Sequence, residues 1–403
     1  HERAWTGRKP GLSRTFALLE RLGNPQERLK FVHITGTNGK GSTAAMVSSV
    51  LTQAGLCTGL YTSPHLWRFH ERFQVDGVPI SDELLGELGE LVLKAGEGME
   101  DPPTEFELMT ALGMEFFLRA GCDIVVLEVG LGGRLDSTNV IPAPEAAVIT
   151  NIGLEHTQEL GNTCALIAHE KAGIIKPGCP VVLSTDNPMD VVCLVQDTAK
   201  RKNAQLVIPN MQDCRIVSET LEEIVFQYHS FTYTLHMSGR HQVYNAMTAI
   251  EVIRFLGMHG YLITAATANE AFSKVRVPAR TEVLRKNPTV LLDGGHNQAG
   301  VMALAELLKH AGTKPIHGIC GMISTKDYAT ACRILGDVLD TVTCVDDFVH
   351  HAVPRETLAA CFENHAEVHT APSLQQAYET ALAQAKADGG MVVICGSLYL
   401  ASE

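Results

Sequence analysis

The sequence lacks long apolar runs, paired cysteines and an excess of positive charge. No apolar run in the 403 residues approaches the roughly 18 that a membrane helix needs, and the first residues do not read as a signal peptide. The 11 cysteines occur singly, without a Cys-x-x-Cys pair, which fits a reduced cytoplasm. A net charge of −13 argues against a nucleic acid gripped through its phosphates, because that partner calls for a basic face. We therefore expect a cytoplasmic protein without nucleic-acid or membrane partners.

Charged residues are scarce as well. They make up 19% of the chain against 45% hydrophobic residues, without a long polar low-complexity tract, so the composition excludes an intrinsically disordered chain. A chain of 403 residues exceeds one ordinary core and predicts about two to three domains. We expect a ligand site between domains.

The sequence does contain a strand, a glycine-rich loop and a helix within residues 29–54. The loop reads Thr-Gly-Thr-Asn-Gly-Lys-Gly-Ser-Thr. Its glycines let backbone N–H groups converge on the phosphates of a nucleoside triphosphate, and Lys40 adds positive charge where a helix N-terminus already favours anions. The strict Walker pattern would have glycine in place of Ile34, so a turn without a ligand is the alternative. The expected nucleotide-binding residues of the loop are Thr37, Asn38, Gly39, Lys40, Gly41 and Ser42.

Polar residues follow three predicted strands. The apolar run 123–129 carries one carboxylate, Glu128, which is costly to bury unless it is paired, protonated or bound to a metal. Ser63 follows the preceding predicted strand, and His156 follows the strand at 146–150. Open parallel sheets bind ligands at this carboxyl edge. With a triphosphate present, these side chains predict Mg²⁺, although His156 taken alone is better explained as an ordinary loop histidine.

The alternation of strands and helices changes along the chain. Residues 214–236 alternate like short strands and predict hairpins at the sheet edge. Residues 277–280 mark the expected domain boundary, beyond which the alternation restarts. The sequence thus predicts an α/β protein with an N-terminal P-loop-type ATP-binding domain, residues 1–277, built on a mostly parallel sheet. A smaller C-terminal Rossmann-like α/β domain, residues 278–403, follows.

Three further segments have recognisable local signals. Residues 62–73 mix polar and aromatic side chains, which suits a loop that covers a ligand, with a surface hairpin as the alternative. Ser81 predicts the cap of a helix. Residues 104–107 form a capping box that starts another helix.

Seven segments spread over the chain resemble those of one enzyme family. They are residues 35–42, 63–66, 127–134, 170–177, 239–246, 292–297 and 396–400. In this order they resemble folylpolyglutamate synthases, some with dihydrofolate synthase activity, within the Mur ligase superfamily. The resemblance covers essentially the whole chain. It departs from the family at Glu155, where Asp is usual, and at Gly295, where Ala is usual, and neither change removes a ligating group.

The resemblance implies roles for individual residues. Ser63, Glu128 and His156 would hold the Mg²⁺ ions, and Lys171 would carry a carbamate that helps to bind the second one. The local sequence of Lys171 alone favours a plain surface lysine or one that contacts phosphate. Residues 63–73 would border the pterin site. The implied metal ligands are Ser42, Ser63, Glu128, His156 and Lys171. The implied catalytic residues are Lys40, Lys171 and His156. The implied ATP contacts beyond the loop are Asn245, Arg280, Asp293 and His296.

The implied reaction is an ATP- and Mg²⁺-dependent amide ligation. A folate carboxylate attacks the γ-phosphate of ATP, and the amine of L-glutamate then displaces phosphate from the acyl phosphate. Domain closure is expected to assemble the site and exclude water. We expect a monomer that acts on small molecules only, namely folate or dihydropteroate, L-glutamate and ATP. The alternatives are a phosphotransferase, a Mur-type ligase for another carboxylate and a nucleotide-binding regulator without chemistry.

Overall fold

The structure is a computed structural model that describes residues 11–362 and 365–403. The first residues, judged above not to form a signal peptide, lie outside this described part. The chain divides into two units. The first ends at Asp213 and resumes over Tyr244–Val275, and the second comprises Cys214–Val243 and Arg276–Glu403.

The first unit contains an eight-stranded sheet. Its strands are β1 (Phe31–Thr35), β2 (Thr58–Tyr61), β3 (Phe73–Val75), β4 (Val78–Pro79), β5 (Ile124–Glu128), β6 (Ala146–Ile149), β7 (Val181–Leu183) and β8 (Leu206–Val207). They lie in the order β4-β3-β2-β5-β1-β6-β7-β8. The six strands from β2 to β8 in this order are parallel, while β3 and β4 run antiparallel at one edge.

Strands β1 and β5 lie at the centre of this sheet and bring the phosphate loop to the buried acid. All five residues of each strand are buried, as expected for parallel strands covered on both faces. The register pairs Ile34 with Glu128. The end of β1, which opens into the glycine-rich loop, is therefore adjacent to the carboxylate that the sequence singles out.

The helices of the first unit begin where the sequence predicts caps. Ser81 Oγ accepts a hydrogen bond from Leu84 N at 3.2 Å, and Thr104 and Glu107 exchange both hydrogen bonds of a capping box. The helices are α1 (Ser13–Arg21), α2 (Lys40–Gln53), α3 (Asp82–Gly96), α4 (Glu105–Arg119), α5 (Thr157–Leu160), α6 (Cys164–Ala172), α7 (Met189–Arg201), α8 (Arg240–Met258), which starts in the second unit, and α9 (Ala265–Lys274). Short 3₁₀ turns lie at Pro25–Arg28, Phe69–Arg72, Ser137–Val140 and Met211–Asp213.

Residues 214–236 form the predicted antiparallel hairpins, but in a separate sheet, so their predicted placement at the edge of the first sheet is wrong. The strands are β9 (Cys214–Glu219), β10 (Ile224–Tyr228) and β11 (Phe231–Leu235), in the order β11-β10-β9. They belong to the second unit, where Thr281 Oγ1 donates to Ser238 O at 2.9 Å and Leu221 packs on the core. The alternating pattern indicates half-buried strands but does not reveal which layer covers them. The structure thus groups residues 214–243 with the C-terminal part, whereas the sequence assigned them to the N-terminal domain.

The second unit also contains a six-stranded sheet. Its strands are β12 (Glu282–Lys286), β13 (Thr289–Asp293), β14 (Ile316–Cys320), β15 (Thr341–Cys344), β16 (Glu367–Thr370) and β17 (Met391–Cys395), in the order β12-β13-β17-β14-β15-β16. Only β12 is antiparallel within this sheet. The helices are α10 (Gln298–His310), α11 (Tyr328–Gly336), α12 (Arg355–Ala360), α13 (Leu374–Asp388) and α14 (Leu398–Ala401). The predicted α/β fold class is confirmed. Among the described helices, none combines the length and the apolar character needed to cross a bilayer.

A buried ion pair fastens α1 to α4. Arg14 Nε lies 3.1 Å from both carboxylate oxygens of Glu107, and its Nη1 lies 3.0 Å from Asp101 Oδ2. Only 7% of the Arg14 side chain is exposed. Because Glu107 also closes the capping box, one buried carboxylate both starts α4 and holds α1.

We expect Arg14→Leu to lower the free energy of unfolding of the first unit by about 3 kcal/mol, because Glu107 would keep a buried charge without its counter-ion. Lys274→Leu is the matched control, since the Lys274–Glu270 pair is 58% and 55% exposed and such surface pairs contribute less than about 1 kcal/mol. Urea unfolding followed by circular dichroism measures both. Equal shifts in the two variants would contradict a special role for the buried pair.

Candidate active site

The glycine-rich loop connects β1 to α2. At two of its glycines, neighbouring side chains leave no room for a Cβ. Gly39 caps α2 with a φ of 84°, a left-handed conformation that strongly favours glycine. A Cβ on Gly39 would collide with Asn245 Oδ1, and one on Gly36 would collide with Thr150 Oγ1. Asn245, expected from the resemblance to contact ATP, therefore lies directly against the phosphate loop.

The segment after β6 supports the loop through the backbone. Thr37 N donates to Asn151 O at 2.7 Å, and Thr150 Oγ1 donates to Asn38 O at 2.7 Å. The Asn38 and Asn151 side-chain amides are hydrogen-bonded at 3.2 Å. Asn151 was not predicted as a site residue. Its position directly after an apolar strand, at the edge where parallel sheets bind ligands, is the signal that could have identified it.

Three of the predicted catalytic side chains line one cavity beside the loop. Lys40, His156 and Lys171 share this cavity of about 20 Å³ with Thr37 and Glu155. A volume of roughly 10–15 Å³ suffices for one water molecule, so the cavity has room for a water or a single ion. Lys40 Nζ donates to Thr37 O at 3.2 Å, which keeps its charge beside the loop.

Lys171 is buried on α6, with 4% of its surface exposed. Its Nζ donates to Gly36 O at 2.6 Å. Burial, together with the neighbouring charge of Lys40, lowers the pKa of Lys171 from 10.5 to about 7. The negative charges of Glu155 and Asp136 act in the opposite direction. Lys171 therefore differs from an ordinary surface lysine, because a substantial fraction of its amine is neutral near pH 7.

Glu128 and Ser63 contact each other at the ends of β5 and β2. Glu128 is 4% exposed, and its Oε2 accepts a hydrogen bond from Ser63 N at 3.1 Å. The same oxygen lies 3.8 Å from the position of a Cβ on Gly41, and Ser42 is buried in the first turn of α2. The donors here are hard oxygens, which fit Mg²⁺. Ser63 and Glu128 are not among the described residues that line the cavity of Lys171 and His156.

These donors alone are too few to enclose a cation. Among residues 11–362 and 365–403, no group of three or more histidine, cysteine, aspartate or glutamate side chains is arranged to hold a metal ion. Mg²⁺ commonly takes one or two carboxylates and completes its shell with phosphate oxygens and water. The residues therefore fit an ion that arrives with a nucleotide better than a permanent structural metal.

Three further predicted ATP contacts lie together in the second unit. Asp293, at the end of β13, accepts hydrogen bonds from Thr281 N at 2.9 Å and Gly295 N at 2.8 Å. Burial raises the pKa of Asp293, while the Arg280 charge acts in the opposite direction. His296 Nδ1 lies 3.0 Å from Gly294 O. Asp293 and His296 thus lie three residues apart at the end of β13. The guanidinium of Arg280, distant in the sequence, lies 3.3 Å from the position of a Cβ on Gly294.

Asp136 is a structural acid of the site that the sequence did not single out. It is 3% exposed, and its carboxylate accepts hydrogen bonds from Leu131 N at 2.8 Å, Thr138 N at 3.0 Å and Thr138 Oγ1 at 2.6 Å. Burial raises the pKa of Asp136, although these hydrogen bonds act to lower it. Asp136 thereby fixes the segment 130–133, three residues of which, Gly130, Leu131 and Gly132, line the Lys171 cavity. An acid followed by Ser and Thr at the end of a glycine loop is the signal for such a role.

Two protein-family profiles match this architecture. The Mur ligase middle domain matches residues 34–253, and the Mur ligase glutamate ligase domain matches residues 279–398. The dihydrofolate synthase/folylpolyglutamate synthase of Bacillus subtilis is 34% identical over 100% of this chain and 96% of its own. The chain belongs to the folylpolyglutamate and dihydrofolate synthase family of Mur ligases. The resemblance carried by the seven segments is thus confirmed, as is the prediction of an ATP-dependent ligase.

Solved structures of Mur ligases agree with this assignment. Mycobacterium tuberculosis folylpolyglutamate synthase, complexed with ADP and AMPPCP, has a TM-score of 0.89 at 31% identity and covers 98% of this chain and 94% of that one. E. coli FolC in complex with DHPP and ADP has a TM-score of 0.86 at 28% identity over 100% and 94% of the two chains. Both similarities extend over essentially the full length of this Mur ligase, so its fold is that of the ligand-bound relatives.

We expect Gly39→Ala to abolish nucleotide binding by this ligase, because the new Cβ would displace Asn245 and the loop together. Gly55→Ala is the matched control: Gly55 has nearly the same φ, 87°, but a Cβ there would meet nothing within 4 Å. Both variants should lose about 1–2 kcal/mol of stability from the left-handed backbone. Binding of a fluorescent ATP analogue and thermal unfolding separate the two effects. Normal nucleotide affinity in Gly39→Ala would contradict the required close contact.

Proposed function

We propose that this protein uses ATP to add L-glutamate to the carboxylate of a folate through an acyl phosphate, releasing ADP and phosphate. The observation that carries the proposal is the phosphate loop with Lys40, Lys171 and His156 around one cavity. The full-length similarity to enzymes named for this activity supports the choice of substrate. We further propose that the protein is cytoplasmic, which fits its unpaired cysteines. We also propose that it is a monomer.

Dihydropteroate is a second proposed acceptor. Relatives with both names, dihydrofolate synthase and folylpolyglutamate synthase, occur among the full-length matches, including those of Bacillus subtilis and Mycobacterium tuberculosis. Both acceptors present a carboxylate to the same chemistry. We propose that one site serves both, so that the enzyme forms dihydrofolate and also extends the glutamate chain of reduced folates.

The residues of the first unit account for the phosphoryl transfer. The loop residues Thr37 to Ser42 bind the triphosphate through backbone N–H groups, and Lys40 stabilises the charge on the transferring phosphoryl group. Bound Mg²⁺ supplies further neutralisation of the phosphate oxygens. We propose that Ser42, Ser63, Glu128 and His156 would hold the Mg²⁺ ions, with a carbamate on Lys171 helping to bind the second one. Ser63 and Glu128 meet at the ends of β2 and β5, whereas His156 and Lys171 line the cavity.

The remaining proposed contacts involve ATP itself. Asn245 lies against Gly39, from which it would orient the loop on the nucleotide. We propose that Arg280, Asp293 and His296 also contact ATP, and their clustering at the end of β13 supports a shared role. The buried Asp293 carboxylate accepts backbone N–H groups and thereby fixes the turn that carries His296.

We propose that Lys171 is carbamylated. Its neutral amine attacks CO₂, an N–C bond forms, and one proton is released, which leaves a carboxylate-like group on Nζ. The burial of the side chain and a pKa of about 7 support this step, because only the neutral amine reacts. The product offers the oxygen donors that Mg²⁺ prefers, and it replaces a positive charge next to Lys40 with a negative one.

The activity is tested by measuring ADP release with glutamate and, in parallel, dihydropteroate, tetrahydrofolate or a muramyl precursor. We expect turnover only when a pteroyl acceptor and glutamate are both present, and none in Lys40→Ala at saturating ATP. ADP release without an amine acceptor would instead indicate a phosphotransferase. Turnover with the muramyl precursor alone would assign a different carboxylate, and no acceptor-stimulated turnover would indicate a regulator.

For Lys171, we expect Lys171→Ala and Lys171→Arg to be nearly inactive, with acetate partly restoring the Ala variant by occupying the vacated carboxylate position. Wild-type protein equilibrated with ¹³CO₂ should show a carbamate ¹³C signal that grows as the pH rises from 6 to 8, because the amine loses its proton near pH 7. The signal should be absent from Lys171→Arg. Full activity of Lys171→Arg, or rescue by small amines instead of carboxylates, would contradict carbamylation.

A further inference from the structure

The segment between β2 and β3, residues 62–72, is organised around one carboxylate. Glu71 Oε2 accepts a hydrogen bond from Leu66 N at 2.7 Å, and its Oε1 accepts from Trp67 N at 3.0 Å and Arg68 N at 2.7 Å. Three consecutive backbone N–H groups therefore converge on a single side chain. Hydrogen bonds to an ionised acceptor are shorter and roughly twice as strong as neutral ones, so this carboxylate determines the local backbone path.

Glu71 is itself held from both ends of the segment. Its carbonyl oxygen accepts hydrogen bonds from Thr62 Oγ1 at 3.3 Å and from Gln74 Nε2 at 2.9 Å. Glu71 N donates to Arg68 O at 3.0 Å, which closes the short 3₁₀ turn. The carboxylate is therefore a fixed point from which residues 66–68 extend.

The segment thus has a rigid frame and an exposed tip. Phe69 packs against Phe73 with ring centroids 5.6 Å apart, next to the core of the first unit. Trp67 remains 55% exposed. Ser63, at the start of the segment, donates its backbone N–H to Glu128. A large aromatic ring is thereby presented on a fixed backbone that begins at the buried acid beside the phosphate loop.

We propose that Glu71 is a positioning residue for the pteroyl substrate, and that it acts by holding the backbone of residues 66–68 so that the Trp67 ring is available for stacking. This inference rests on the proposed folate activity for its substrate, but the ordering of the loop by Glu71 does not. A side chain on a fixed backbone loses less conformational entropy when it stacks on a flat ring system than one on a mobile backbone does. Glu71 touches neither ATP nor the reacting atoms in this scheme.

The test uses Glu71→Ala and the milder Glu71→Gln in the full-length protein. Glutamine keeps the size of the side chain and one acceptor oxygen, but its NH₂ group faces the same N–H donors and its charge is lost. Glu90→Ala is the matched control, because Glu90 is exposed on α3. Melting curves and circular dichroism identify any variant that fails to fold, and Glu71→Gln then carries the test.

Steady-state kinetics give the first readout. We expect the KM for the pteroyl substrate to rise by roughly tenfold in Glu71→Ala, because binding must then order a mobile loop and its side chain, and by less in Glu71→Gln. The KM for ATP and kcat should stay within about twofold of the wild type, because the phosphate loop is not touched. A fall in kcat at unchanged KM, or equal effects on both substrates, would overturn the proposal.

Tryptophan fluorescence gives a second readout that needs no substrate. The chain has two tryptophans, so Trp5→Phe leaves Trp67 as the reporter. In that background, Glu71→Ala should increase the quenching of Trp67 by acrylamide and lower its anisotropy, and Glu90→Ala should change neither. Unchanged quenching in Glu71→Ala would overturn the role of Glu71 even in an active enzyme. Increased quenching in a protein that does not turn over pteroyl substrates would support the loop's ordering and refute the folate activity.

Discussion

The phosphate loop depends on how closely its backbone approaches two neighbouring segments. Gly36 leaves no space for a Cβ beside Thr150, and Gly39 leaves none beside Asn245. Because Asn151 also binds the backbone of Thr37, the loop is shaped by the end of β6 and by α8 as well as by its own glycines. A loop held in this way needs little further ordering when a triphosphate binds, and this reduces the entropic cost of binding.

Two lysines beside that loop differ because their surroundings differ. Lys40 is half-buried and donates to Thr37 O, whereas Lys171 is almost fully buried and donates to Gly36 O. Desolvation and the charge of Lys40 act on Lys171 in the same direction. Pairs of titratable groups with different environments commonly take different chemical roles. The proposed roles, charge stabilisation at Lys40 and carbamylation at Lys171, follow this difference in burial.

The sequence predicts features that are set by residues close together in the chain. It misses features that are set by burial or by contacts formed only in the folded protein. The buried strand ending in Glu128, the cap at Ser81 and the capping box at residues 104–107 each follow from adjacent residues and are confirmed. The separate sheet at residues 214–236 was misplaced, because alternation does not identify the covering layer. Asn151 was missed because its partner, the backbone of Thr37, is distant in the sequence. Asp136 was missed although its partners Leu131 and Thr138 are close in the sequence, because its burial is not visible there. The burial of Lys171 likewise has no local sequence signal.

The chain passes between its two units at residues 213/214, 243/244 and 275/276. A single cut therefore cannot separate them into two complete polypeptides. A fragment that begins at Arg276 would lack strands β9–β11, and Leu221 would no longer cover part of its core. The Thr281 hydroxyl would also lose Ser238 O as its acceptor. Replacing residues 214–243 with a short linker would remove one contiguous insertion from the first unit, together with the first four residues of α8. Gene fusion, fragment complementation and circular permutation of this ligase are therefore constrained by these three crossings of the chain, and a boundary drawn at one position along the sequence would divide one of the two units.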